Sequence, residues 1–198
     1  MNIVVIGPYF PYRGGISDTN QELCETLNKL GHNVNVISFK LLYPSLLFPG
    51  RTQFYKENSK QDIKSKRLIN SINPFNWINN SRVINDLNPE LVISTYWTPF
   101  LAPCLSFINN TINKNILKIG IVHNAYPHEK NIFQKKLFKI YLKSINKIIT
   151  LSKNINNQIN EISKSKKKIV LFHPIPKKFG KPIKKQIAKK KIGLKKDY

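Results

Sequence analysis

The sequence predicts a doubly wound α/β fold, a Rossmann-like parallel sheet with helices on both faces. Three observations carry that expectation. Short, wholly apolar runs such as Ile3-Val4-Val5-Ile6 are the mark of strands covered on both faces. Amphipathic stretches of helical period lie between them. Strand and helix then alternate along most of the chain, as parallel βαβ units require.

The elements follow in order. After the strand at 3–6 comes a helix, "SDTNQELCETLNKLGH", with Ser17 as its expected N-cap and Asp18 in its first turn. Leu23, Leu27 and Leu30 mark its apolar face, and Gly31 its stop. "NVNVISF" is the second strand and completes a βαβ unit. "KRLINSI" is the third strand, and "NPFNWINNSRVINDLNP" a helix opened by Asn73 before Pro74. "ELVISTYW" is a strand, "TPFLAPCLSFINNTI" a helix with prolines at its start, and "KIGIVHN" a strand. "EKNIFQKKLFKIYLKSI" is a helix, "KIITLS" a strand, "KNINNQINEI" a helix capped by Ser152, and "KKIVLFHPIP" the last strand. One domain is expected over residues 1–176. Residues 177–198 are Lys-dense, with Asp197 as their only acid, and read as a basic linker containing a short helix.

The 198 residues are 41% hydrophobic, enough for a real core. The net charge is +23, from 33 Lys and Arg against 10 acids. Abundant Lys, Asn and Ile are one explanation, as AT-rich coding would give. The other is an anionic partner. Only Arg13, Arg51, Arg67 and Arg82 are arginines. Base readout and bidentate phosphate contacts favour arginine, so a membrane surface is expected ahead of nucleic acid. Cys24 and Cys104 are far apart in apolar contexts and form neither a disulfide framework nor a metal-ligand spacing. Buried free thiols in a cytoplasmic protein are expected. No leader is expected before Ile3, and the longest apolar stretches, 41–48 and 98–108, are too short to span a membrane.

"GPYFPYRGGISDTN" follows the first strand. A glycine-rich turn there sets backbone N–H groups and a helix N-terminus at the carboxyl edge of the sheet, where anions bind. The dinucleotide pattern G-x-G-x-x-G is not met, and the second strand ends in Ser38-Phe39-Lys40, with no acid to hold a ribose. No phosphate-binding Gly-Lys-Ser/Thr loop occurs. The plainer alternative is that Gly14-Gly15 only permits a tight turn.

"RGGISDTNQELCETLNKLGHNVNVIS" resembles the opening of family 4, group 1 glycosyltransferases of the GT-B fold. "YWTPFLAPCLSFI", "VHNAYPHEK" and "ITLSKNI" resemble later stretches of the same N-terminal lobe. "FHPIPKKFGKPIKKQIAKKKIGL" resembles the passage into the second lobe. The resemblance implies an acceptor-side lobe whose donor-binding partner lobe, with its E-x7-E motif, is absent from this chain. It also implies a retaining transfer from a nucleotide-sugar to a hydroxyl, in cell-envelope glycan or glycolipid synthesis. The donor is then a substrate, and no cofactor or metal is implied.

By the same resemblance Gly14 and Gly15 line the cleft near the donor diphosphate and the acceptor. Arg13 either neutralises an anionic group there or is an exposed turn charge. Asp18 either orients an acceptor hydroxyl or serves the helix dipole. His123, at the end of the fifth strand, is the expected catalytic residue, in contact with the transferred sugar, and Asn124 supports it. The alternative is a plain strand-end histidine. His128 and Glu129 serve acceptor binding or helix capping. Trp97 and Tyr96 either face a sugar ring in the cleft or pack in the core. His32 and His173 read as structural.

On the helix around 132–147, Lys135, Lys136, Lys139, Lys143 and Lys147 cluster on one side at ~100° per residue. Phe133, Leu137, Phe138, Ile140, Tyr141, Leu142 and Ile145 occupy the rest. That is either a basic amphipathic face for an anionic membrane or an ordinary sheet-covering helix. "LLYPSLLFPGR" adds to a membrane face if exposed. The expected partners are a nucleotide-sugar, a sugar or lipid-linked acceptor and an anionic membrane surface, at the inner face of the membrane. The competing function is a non-catalytic basic domain that binds an anionic membrane or glycan.

Overall fold

The computed structural model describes residues 1–44, 52–55, 62–125, 132–163, 167–173, 180 and 182–194. Seven strands form one parallel sheet: β1 (Asn2–Ile6), β2 (Asn33–Leu41), β3 (Ser65–Asn70), β4 (Leu91–Tyr96), β5 (Leu117–Val122), β6 (Lys147–Thr150) and β7 (Lys167–Val170). Their order is β3-β2-β1-β4-β5-β6-β7, so the fold is the doubly wound one expected. The chain builds outward in one direction from β1, then returns to β1's other side with β4 and builds outward in the other. Ile3 to Ile6 pair with Val34 to Ile37 on one side and with Leu91 to Ser94 on the other.

Alternation along β1 divides the core between the two faces. Ile3 and Val5 join Val34, Val36, Leu91 and Ile93 beneath α1 (Gly15–Lys29). Val4 and Ile6 join Ile37, Phe39, Ile69 and Val92 on the other face. That second face is covered by α2 (Pro74–Asp86), α3 (Ala102–Thr111), α4 (Ile132–Lys143) and α5 (Lys153–Ile162). Cys24 and Cys104 are buried free thiols, as expected, one in each half of the core.

Two expected caps form: Asn73 accepts from the Asn76 amide and Ser152 from the Ile155 amide. The expected Ser17 cap does not. The N-cap of helix α1 stands three residues earlier, at Gly14, and Ser17 is buried inside the first turn. At the other end, the Gly31 amide donates to Asn28 O and the His32 amide to Leu27 O, closing the helix where the sequence placed its stop. Leu30 falls outside the apolar face and is exposed, while Leu23 and Leu27 pack as expected. A short helix α6 (Lys185–Lys191) lies in the basic C-terminal stretch and buries no residue. Residues 174–179, which hold the Pro176 boundary, and Asp197 lie outside the described residues, as do residues 45–51 of "LLYPSLLFPGR".

Where β1 and β4 part at their carboxyl ends, Gly7 lies against α1. A Cβ there would come within 2.5 Å of Asn20 Nδ2 and 2.9 Å of Thr95 Oγ1. Gly7→Ala is therefore expected to destabilise the chain by about 1–3 kcal/mol, as overpacking does. Urea unfolding checks this: the midpoint should fall with an unchanged slope, and an unmoved midpoint would show that α1 yields without cost.

Candidate functional site

The parting of β1 and β4 opens a cavity of about 210 Å³ at the carboxyl edge of the sheet. Its floor is the backbone from Gly14 to Ser17, and Arg13 stands at its rim. Tyr12, Tyr43 and Trp97 form an aromatic wall, and among the described residues no acidic one lines it. Gly14 has φ +121°, a conformation that side chains disfavour, and so secures the turn into α1. Gly15 has an ordinary φ, and among the described residues nothing beyond its own neighbours and helix backbone lies within 4 Å of where its Cβ would be.

No side chain caps α1. Its first turn, Gly15 to Ser17, lines the cavity, so the positive end of its dipole lies beside it, a favourable place for negative charge. Gln53 adds a buried Oε1 with no hydrogen-bond partner. Trp97 Nε1 donates to Tyr43 Oη at 2.8 Å, and the Trp97 ring meets Phe39 edge-on. The wall is thus fixed from the core side. The 52–55 segment fixes the loop: Arg13 N donates to Gln53 O, and Tyr55 N to Pro11 O. Arg67 lies over the Tyr12 and Phe54 rings at 5.4 and 4.6 Å. Asp18 accepts from Tyr55 Oη at 3.0 Å and does not line the cavity.

His123 follows β5 directly, and its amide donates to Tyr96 O, so it leaves the sheet beside Trp97. Its Nε2 is buried and has no hydrogen-bond partner. The ring packs against His173 at 5.9 Å between centroids. Burial pushes its pKa down to about 4, with the His173 charge as the smaller cause. The imidazole is therefore neutral at physiological pH and suited to hydrogen bonding rather than charge. His123 is not part of the cavity wall. Asn124, beside it, is exposed, while His128 and Glu129 lie outside the described residues. Tyr96 is fully buried in the core, stacked on Tyr141 at 4.5 Å.

Three cavity residues escape sequence reasoning. Tyr43 stands just past the carboxyl end of β2, where edge logic finds it. Tyr12 and Gln53 lie in irregular loops that carry no period. His173 reads as structural, yet the fold sets it against His123.

On α4, Phe138, Tyr141 and Leu142 are buried, Lys135 is half-buried, and Lys136, Lys139 and Lys143 are exposed. Phe133 and Ile140, on the apolar remainder of the helix, are exposed to 65% and 48%, and Ile132 to 73%. Among the described residues, no helix is long and apolar enough to cross a membrane, and no three His, Cys, Asp or Glu side chains could hold a metal ion.

A parallel sheet of this order with an open cavity at its switch point is a Rossmann-like lobe, and its family and structural neighbours make it the N-terminal lobe of a GT-B fold. The chain belongs to glycosyltransferase family 4, whose model matches residues 13–175. No curated protein sequence matches it. Sucrose-phosphate synthase from Thermosynechococcus elongatus is similar in structure, with a TM-score of 0.67 and 13% identity over 100% of this chain and 54% of that one. An α-glucosyltransferase in complex with UDP gives 0.56 and 13%, over 88% and 41%. UDP-GlcNAc 2-epimerase from Methanocaldococcus jannaschii gives 0.55 and 10%, over 86% and 45%. The chain spans about half or less of the length of these neighbours. At these identities they show the fold alone, and an epimerase among them marks how little the fold fixes the reaction.

The His123 shift has a signed consequence. As pH falls the unfolded chain, near 6.5, takes up this proton before the folded one, near 4. The stability tied to a neutral His123 is intact above pH 6.5 and is lost as pH falls toward 4. Denaturation measured across that window should fall more steeply for the native chain than for His123→Gln. Coincident curves would refute the neutral, buried assignment.

Proposed function

We propose that this chain forms the acceptor-side lobe of a retaining glycosyltransferase that moves a sugar from a nucleotide-sugar to a hydroxyl, in cell-envelope glycan or glycolipid synthesis. The observation that carries the reading is the cavity of Arg13, Gly14, Gly15 and Trp97 at the switch point, in a chain of this family. An aromatic wall suits the apolar face of a sugar ring. The uncapped helix end and Arg13 suit the negative charge of a phosphate or diphosphate. Diphosphate departure develops negative charge, and preorganised donors facing it lower the barrier. Most of those donors belong to a second lobe, which faces this edge.

In this reading His123 hydrogen-bonds the transferred sugar through Nε2, and Asn124 and Glu129 support the acceptor. Asp18 acts by holding Tyr55 and the 52–55 segment in place. No metal is called for. The exposed Lys136, Lys139 and Lys143, with the half-buried Lys135, face an anionic membrane that presents the acceptor. The exposed apolar residues among them favour this over a merely solvated face. The same surface supports the second reading, a non-catalytic domain that binds anionic membranes or glycans.

Gly15→Ala separates substrate contact from folding. Its Cβ has open space in the chain, and alanine is the better helix former, so stability should hold or rise by up to about 1 kcal/mol. Nucleotide-sugar turnover by the full-length protein should nevertheless fall at least ~10-fold, about 1.4 kcal/mol of lost stabilisation. Arg13→Ala should weaken substrate binding more at low than at high salt. Charge-dependent liposome binding with no turnover in any of these proteins would favour the second reading.

A further inference from the structure

His123 is fixed through its backbone and not through its ring nitrogens. Its amide donates to Tyr96 O at 2.9 Å, which sets where the main chain leaves β5. Its Nε2 is buried without a partner, and among the described residues no group hydrogen-bonds either ring nitrogen. A histidine that presents one nitrogen to a substrate is ordinarily oriented by a hydrogen bond at the other. No described residue supplies that bond here.

What the ring does meet is His173, at 5.9 Å between centroids and 60° between planes. Tilted aromatic pairs at such separations are a favoured arrangement. The two residues come from different strands. Val122, Thr150 and Val170 are lateral partners on β5, β6 and β7, so the two histidines reach toward each other past the end of β6. Adjacent strands lie about 4.8 Å apart, which separates β5 from β7 by roughly 10 Å. The ring contact closes that gap.

His173 is built as a support. Leu171 N donates to Thr150 O at 2.8 Å and anchors the segment just before it. Pro174 follows it in sequence, and a residue before proline is confined to extended backbone. The side chain of His173 is exposed, so core packing does not call for a ring at this position.

We infer that His173 is a positioning residue, whose ring holds the His123 imidazole in the orientation from which Nε2 meets the transferred sugar. This rests on the sugar contact assigned to His123 above. His173 acts through His123 and needs no contact with substrate itself. The pairing also ties the imidazole to the segment that leaves β7, so that displacing the segment turns the ring.

The test follows the imidazole and the reaction separately, in the full-length protein. Histidine-selective NMR tracks the His123 ring through pH with no substrate present. Its titration, at about 4 in the native chain, should move upward in His173→Ala, because burial and the His173 charge are both reduced. In His173→Phe, which keeps a ring and removes the charge, it should move upward by less. Turnover is the second measurement. His173→Ala should lower kcat about 10-fold with the KM for nucleotide-sugar unchanged, and His173→Phe should restore it to within about threefold of native. In the His123→Gln background, His173→Ala should cost less than about twofold more, because the pair acts as a unit. Both replacements are at an exposed position and keep the fold, which the urea midpoint checks. An unmoved His123 titration, losses that add across the two positions, or equal losses in the Ala and Phe variants would overturn the inference. So would a rise in turnover, the mark of a ring that blocks Nε2. The two readings fail separately. A shifted titration beside a fully active His123→Gln protein sinks the sugar contact and leaves the ring pairing standing. An unmoved titration beside an inactive His123→Gln protein sinks the pairing and leaves the sugar contact.

Discussion

Asn20 holds the carboxyl edge of this fold together. Its side chain is buried, donating through Nδ2 to Pro8 O and accepting at Oδ1 from Thr95 Oγ1, both at 2.9 Å. One amide thereby ties α1, the loop after β1 and the end of β4, the three parts that meet at the switch point. Gly7 is the glycine beneath it, because a side chain there would occupy the amide's place. Buried amides that lose a partner are costly, so the three parts move together or not at all. The slope of α1 over β1, and hence the position of Gly14 and Gly15, follows from that bond pair.

Most of the fold was legible because its signals are local. The β1 run is apolar because both of its faces are covered, and Asn73 and Ser152 cap because an extended residue before a helix needs nothing distant to do so. Ser17 misled for a related reason. Its type suits a cap, but the glycine turn lets the helix begin earlier, and the hydroxyl enters the helix instead. The cavity's lining was legible at Gly14, Gly15 and Trp97, in the segments that follow β1 and β4, while His123 lies outside that wall. Tyr12, Gln53 and His173 were not, since irregular segments bring them in and their neighbours are set by long-range packing. On α4 the lysine stripe was visible, but the exposure of Phe133 and Ile140 was not. A period separates faces without telling which apolar residues at the margin find a partner.

The electrostatics of the edge are consistent in sign. Among the described residues the cavity is lined by Arg13, an α1 end without a side-chain cap and no acid, and His123 is kept neutral by burial. Neutrality matters here. A charged imidazole would bind anions through long-range attraction, whereas a neutral one with an unpartnered nitrogen discriminates by direction and distance. On α4 Lys136, Lys139 and Lys143 are exposed, away from the core.

The switch point also orders the assembly of the molecule. Tyr12 to Ser17 belong to the first half of the chain, and Trp97 to the second, so neither half contains the cavity. The Asn20–Thr95 contact spans 75 residues, while β1, α1 and β2 meet within the first 41. Contacts so far apart bear the larger loop-closure entropy and form after local ones have been made. The carboxyl edge is in this sense a seam: two halves, each contiguous in sequence, meet along it, and the cavity comes into being only when they join.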